Sequence, residues 1–142
     1  MDELLITFNP SRQTEYCQPQ NTERLLLGKA PSLNLVRMAY GMECVTTFLE
    51  VQINDLVNYL GCQAQTDHHM IIQTASVIAL QYGYLKLTEV MLFMVMVKAG
   101  HFGTVYGNAN GLHITLALRQ FLHWRGREIE KIEMLRHNND NP

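Results

Sequence analysis

The chain has 142 residues, of which 47% are hydrophobic and 17% are charged. A chain of this length forms one domain that buries roughly 70% of the surface its unfolded state exposes, and this composition excludes an intrinsically disordered or fibrous protein. The net charge of -2 also excludes a wholly basic, histone-like nucleic-acid binder, so any site for a polyanion must be a local patch.

The first 31 residues hold three of the four prolines and a run rich in Gln, Asn and Thr. This composition predicts an irregular N-terminal arm over residues 1–31. Within the arm we expect one short helix from Glu23 to Leu27, with Asn21 or Thr22 as its N-cap and Gly28 as its C-terminal stop.

From residue 32 onward the apolar residues recur at three- and four-residue steps, which predicts amphipathic helices. The pattern over Ser32–Leu60 predicts two helices divided by Gly41. A further helix is expected to begin after Thr66 or Asp67, either of which can cap it, and to run to about Tyr82.

The next predicted helix begins at Thr88 as its N-cap and ends at Lys98. Its run Val90–Val97 is apolar on every side, which is typical of a helix surrounded by other elements, so we expect it at the centre of the fold. A buried β-strand is the alternative, because periodicity does not separate the two for a short apolar run. Eight apolar residues are too few to cross a membrane, which takes roughly 18 or more.

A glycine-rich segment, Gly100–Gly107, follows and predicts a loop or tight hairpin. Asn110 is expected to cap the last helix, which runs to about Arg136 and is broken or bent near Gly126. A continuous helix of that length would measure about 40 Å, so we expect its end to project from the domain. The remaining residues, 137–142, are expected to fray.

Together these patterns predict an all-α protein with a single domain. The domain is a compact bundle of four or five main helices over residues 32–136, preceded by the irregular arm and followed by the frayed tail.

The three cysteines, Cys17, Cys44 and Cys62, are scattered without CxxC spacing, which favours neither a disulfide framework nor a zinc site. The start of the chain is acidic and lacks the basic flank and apolar stretch of a secretory signal. These features predict a cytoplasmic protein that does not bind a membrane.

No pattern of catalytic or metal-binding residues stands out. His68 and His69 are adjacent, and adjacent helical side chains point about 100° apart, so both cannot readily bind one ion. The glycines of the loop do not have the spacing of a phosphate-binding motif, and no GxSxG sequence is present. We therefore expect no enzymatic activity, no metal and no cofactor.

The charges are unevenly distributed along the chain. Residues 1–67 contain eight acids and four bases, whereas residues 68–142 contain five acids and seven bases. No acid lies between Glu89 and Glu128, while that interval holds four cations, Lys98, Arg119, Arg125 and Arg127. The sequence thus predicts a basic face on the last helix and beside the glycine-rich loop.

Aromatic residues accompany these cations. His101, Phe102 and Tyr106 lie in the glycine-rich loop, and Trp124 precedes Arg125. Cations neutralise phosphates and aromatic rings stack on bases, while Trp and Arg are also enriched at protein interfaces. The alternative interpretation is that the aromatic rings pack on the core and the cations are solvated or paired with the acidic half. The residues predicted to bind a protein partner or single-stranded nucleic acid are Lys98, His101, Phe102, Tyr106, Arg119, Trp124, Arg125 and Arg127.

Four segments carry a resemblance to a known family: Leu85–Glu89, Lys98–Gly107, Ile114–Thr115 and Ala117–Leu122. Over residues 84–125 the chain resembles an uncharacterised family of short proteins from bacterial phage-like and mobile elements. In that family an aspartate, often followed by proline, stands about where this chain has Asn110. The resemblance implies a helical accessory protein linked to DNA replication or maintenance of the element, and it supplies no catalytic residue.

We therefore expect a non-enzymatic interaction module, an accessory DNA-replication or nucleic-acid-associated protein of a mobile element. It would use the glycine-aromatic loop and the adjacent basic helix face. The alternative is a small homo-oligomeric structural protein that binds no nucleic acid, with its N-terminal arm and last helix packed against another copy.

Overall fold

The computed structural model of the chain describes residues 2–61, 66–103 and 110–140. Among these residues there is no β-strand, only an isolated antiparallel bridge between Ser32 and Lys86, so the all-α prediction is confirmed. The α-helices are α1 (Asp2–Thr7), α2 (Gln13–Tyr16), α3 (Thr22–Leu27), α4 (Leu33–Tyr40), α5 (Met42–Tyr59), α6 (His68–Gln81), α7 (Leu87–Lys98) and α8 (Gly111–Asp140).

Helix α7 lies at the centre of the fold, as its uniformly apolar sequence predicts. Every residue from Val90 to Val97 is buried except Val95, which is half-buried. Helices α2, α3, α5 and α8 all contact α7, while α4 and α6 pack against α5. The prediction of a helix for Val90–Val97 is therefore confirmed, and the alternative of a buried strand is wrong. No helix in the described ranges is both long enough and apolar enough to span a membrane.

Local sequence signals set most of the helix ends. Side-chain oxygens of Ser32, Asp67 and Asn110 accept hydrogen bonds from backbone N–H groups of the first turns of α4, α6 and α8, at 3.1, 3.0 and 2.9 Å. Gly41 adopts a φ of 95° and divides α4 from α5. The caps at Asp67 and Asn110 lie where the sequence predicts them, because an Ncap oxygen satisfies a backbone donor that the helix leaves unpaired. The predictions did not include the cap at Ser32.

The start of α7 differs from the prediction that Thr88 caps it. The helix begins at Leu87, so its N-cap is Lys86, two residues before Thr88, and the Glu89 carboxylate accepts a hydrogen bond from the backbone N–H of Lys86 at 3.2 Å. The Thr88 hydroxyl instead donates to the carbonyl of Leu25 at 2.8 Å. The hydroxyl of Thr88, which the local pattern predicts as a cap, therefore forms a tertiary hydrogen bond with α3 instead.

The N-terminal segment is helical, which corrects the prediction of an irregular arm and adds three α-helices to the four or five main helices predicted over residues 32–136. It contains α1, α2 and α3 together with two short 3-10 helices, Pro10–Arg12 and Pro19–Asn21. Each of these prolines occupies a first helical position, where its missing N–H has no role. Leu25 and Leu26 of α3 are buried in the core, so this segment is packed into the fold.

Helix α8 is continuous over 30 residues, about 45 Å, and does not break at Gly126. Its C-terminal half packs against the rest of the protein, because Ile129 and Ile132 contact the core and Arg136 forms an ion pair with Glu23 of α3. Helix α3 contacts the C-terminal half of α8 through this exposed ion pair. The helix continues four residues past Arg136, and the side chains of residues 133–139 are exposed.

Candidate functional site

Lys98, the last residue of α7, lies in a polar network between helices. Its Nζ is 2.6 Å from Oδ2 of Asp55 and 2.8 Å from Oε1 of Gln13, and it lies 5.3 Å from the centre of the Tyr59 ring. The Lys98 side chain is only 19% exposed. Its charge is therefore balanced by a carboxylate from the acidic half of the chain.

The network continues into the N-terminal segment through two glutamines. Gln13 Nε2 donates to Oε1 of Gln52 at 2.8 Å, and Gln52 Nε2 donates to the carbonyl of Phe8 at 2.8 Å. Both glutamines are buried. Sequence reasoning missed this network, although one signal was present: Gln52 occupies a core position beside Ile53 on the apolar face of α5.

Arg125 is also neutralised inside the fold. Its Nε forms an ion pair with the carboxylate of Glu89, which has no exposed surface, and its guanidinium lies 5.4 Å from the centre of the Tyr84 ring. Two of the four predicted cations, Lys98 and Arg125, thus have carboxylate partners.

The described part of the glycine-rich loop ends α7. Gly100 has a φ of 82°, its N–H donates to the carbonyl of Val97, and the N–H of His101 donates to the carbonyl of Met96, both at 3.0 Å. This pattern is a Schellman motif, in which glycine takes the left-handed position. The His101 side chain is exposed. Tyr106, the other predicted aromatic of this loop, lies outside the described residues.

The remaining predicted aromatics pack inward. The Phe102 ring is half-buried with its centre 6.1 Å from that of Phe93, and the Trp124 ring is 5.7 Å from that of Phe121. These positions match the alternative interpretation, in which the rings pack on the core. Both side chains are half-buried, and their predicted role in stacking stays a prediction.

The other two predicted cations, Arg119 and Arg127, lie on one exposed face of α8. Arg119 and Arg127 lie two turns apart with His123 between them, and all three side chains are exposed. Neither arginine forms a salt bridge with any residue that the structure describes. Leu112, 64% exposed, and Leu116 continue the same face toward the start of the helix. We call these five residues the α8 outer face.

Two of the three cysteines, Cys17 and Cys44, lie in the described part of the chain as free thiols. Burial raises the pKa of Cys17 to about 12, and it also raises the pKa of Cys44, so both thiols are held in the unreactive protonated form. No three His, Cys, Asp or Glu side chains in residues 2–61, 66–103 and 110–140 come together as a metal site. Cys62 lies outside those ranges.

Comparison with known proteins identifies a family over the C-terminal part of the chain. Residues 62–140, more than half of the chain, match the model of a family of unknown function, DUF6633. The match contains the whole segment over which the sequence resembles an uncharacterised family. No curated protein and no solved structure matches the chain.

Proposed function

The chain belongs to the DUF6633 family of unknown function, and we propose that it is a non-enzymatic interaction module whose α8 outer face binds the phosphate groups of single-stranded nucleic acid. The observation that supports this proposal is the pair of exposed arginines, Arg119 and Arg127, which have no carboxylate partner among the described residues. Such cations gain from an external anion because binding it breaks no internal ion pair.

The spacing of the two arginines suits an extended polyanion. Eight residues of helix separate their Cα atoms by about 12 Å along the axis, so each guanidinium would contact a separate phosphate. The exposed imidazole of His123 lies between them as a further donor. Leu112 and Leu116 offer apolar contact to unstacked bases at one end of the same face.

The small number of phosphate contacts predicts a low affinity, which favours an accessory role. Two phosphate contacts give a slope of about -1.4 for the dependence of log K on log salt with a single strand. Binding of this kind is weak and sensitive to salt, so a partner protein or a high local concentration would be needed in a cell. We also propose that the protein acts in DNA replication or in the maintenance of a mobile element. The family resemblance of residues 84–125 supports this part of the proposal.

The test is fluorescence anisotropy with a labelled oligothymidylate of about 20 nucleotides across a salt series. The Arg119→Gln/Arg127→Gln variant is expected to bind about tenfold more weakly and to lose most of the salt dependence. Arg37→Gln is the matched control, because Arg37 is an exposed arginine on α4, and it should bind as the wild type does. Absence of binding at low salt, or equal loss in the control, would overturn the proposal.

A second candidate is self-association through the same helix. Glu130 and Met134 are exposed toward the C-terminal end of this side of α8. Two copies of α8 laid antiparallel about a two-fold axis near residue 125 would place Arg119 against Glu130 and Leu116 near Met134. Light scattering on the same samples distinguishes the two functions: a monomeric mass at high concentration eliminates self-association, and a dimer dissociated by the arginine variant favours it.

A further inference from the structure

A pocket of about 520 Å³ lies between the N-terminal helices and the start of α7, away from the α8 outer face. We propose that this pocket binds a small organic acid, with an aromatic or aliphatic body in the pocket and a carboxylate at its rim. The volume lies within the range of sites for single small-molecule ligands. This inference is independent of the proposed nucleic-acid binding, because no residue of α8 lines the pocket.

The inner wall is apolar and is held in place by hydrogen bonds. Phe8 and Tyr16 pack edge to face with ring centres 6.4 Å apart, and the Tyr16 hydroxyl donates to the carbonyl of Thr7 at 2.8 Å. On the other side, Leu25 is buried and its carbonyl accepts the bond from Thr88. The wall is therefore preformed, and the ligand body does not have to order it.

The same hydrogen bonds define which ligands fit. The hydroxyls of Tyr16 and Thr88 already donate to backbone carbonyls, so they are not free to donate to a polar ligand body. A sugar or another polyol would find neither hydroxyl available as a donor beside the apolar rings of Phe8 and Tyr16, which costs binding free energy. The interior thus selects an aromatic or aliphatic group.

The rim carries an excess of positive charge. Arg24 and Lys29 both line the pocket, are exposed, and form no salt bridge with a described residue. The one acid in the lining, Glu15, is paired with Arg12 at 3.2 Å. A single carboxylate on the ligand would therefore meet two cations and no unbalanced anion.

The pocket is a property of the N-terminal segment. Of its ten lining residues, all but Thr88 precede residue 62, where the family match begins. The predicted ligand site therefore depends on the helical arm packing onto α7, and not on the part of the chain that defines the family.

The experiment uses phenylbutyrate as the probe and phenylbutanol as its uncharged analogue, titrated into the full chain by calorimetry and by NMR mapping of amide shifts. Phenylbutyrate is expected to bind with a Kd below about 1 mM and to shift the amides of the lining residues. Phenylbutanol should bind about tenfold more weakly, because it lacks the charge that Arg24 and Lys29 recognise.

Three variants separate the pocket from nonspecific binding. Arg24→Gln/Lys29→Gln should weaken phenylbutyrate about tenfold, and Arg37→Gln, which removes an exposed arginine outside the pocket, should leave its Kd unchanged. Ala30→Phe, which fills the pocket, should abolish binding while circular dichroism shows an intact helical fold. Equal affinity for the acid and the alcohol, an equal effect of the control, or shifts confined to other surfaces would each overturn the assignment.

Discussion

At the scale of single residues, the ion pair of Glu89 and Arg125 has two unequal members. Glu89 is completely buried, whereas the Arg125 side chain retains 21% of its exposure. If Glu89 lost its partner, its charge would remain in the protein interior without compensation. Arg125 could instead turn toward water. The cost of breaking this pair should therefore depend on which member is removed.

We predict that Arg125→Met destabilises the fold by about 3 to 5 kcal/mol, while Glu89→Gln costs about 1 to 2 kcal/mol because the amide still accepts the Lys86 N–H bond. The double variant should lose less than the sum of the two single changes. Urea denaturation monitored by circular dichroism measures all three. Equal losses in the two single variants would contradict the asymmetry.

At the scale of secondary-structure elements, two glycines have opposite roles. Gly100 ends α7 with a φ of 82°, a conformation that costs an L-residue about 1 to 2 kcal/mol. Gly126 lies within α8, and a Cβ built there would meet nothing within 4 Å. A glycine in a helix interior is less stable than alanine because it loses more backbone entropy.

The same substitution should therefore change stability in opposite directions. Gly100→Ala is expected to lower the free energy of unfolding by about 1 kcal/mol, and Gly126→Ala to raise it by about 0.5 to 1 kcal/mol. Thermal denaturation of the two variants beside the wild type checks both signs. A stabilising Gly100→Ala would show that the Schellman motif does not constrain this residue.

At the scale of the whole molecule, the polar network joins the N-terminal segment to the body of the protein. Lys98 on α7 contacts Gln13 of α2 and Asp55 of α5. Gln52 extends the network to the backbone carbonyl of Phe8, directly after α1. Gln13 is only 2% exposed, so its carbonyl oxygen depends on the Lys98 ammonium for a partner. The network therefore controls how firmly the arm is held, and with it the pocket that the arm forms.

We predict that Lys98→Met destabilises the protein by about 1 to 3 kcal/mol and increases hydrogen exchange over residues 2–31 more than elsewhere. Lys131→Met is the control, because Lys131 forms an exposed pair with Glu128 at 3.5 Å, and its effect should stay within about 0.5 kcal/mol. Hydrogen exchange measured by mass spectrometry reports the protection of the arm in both variants. An arm as protected in Lys98→Met as in the wild type would contradict the role of the network.

The sequence alone determined the features that depend on near neighbours. The apolar periodicity of α5 and α6 and the caps at Asp67 and Asn110 follow from the spacing of near neighbours. The central place of α7 follows from an apolar run that leaves the helix no polar face. Hydrophobic spacing and capping hydrogen bonds act locally, so a single sequence displays them.

The tertiary structure alone decided which charged and aromatic side chains remain available. Lys98 meets Gln13 across 85 residues of sequence, and Arg125 meets Glu89 across 36. Thr88 leaves its predicted capping role because its partner, the carbonyl of Leu25, lies on another helix. Phe102 packs beside Phe93 of α7, and Trp124 packs beside Phe121 of its own helix and against the core. Such partners are fixed by how the helices pack, and packing depends on the whole set of side chains at once, so no local pattern reveals it.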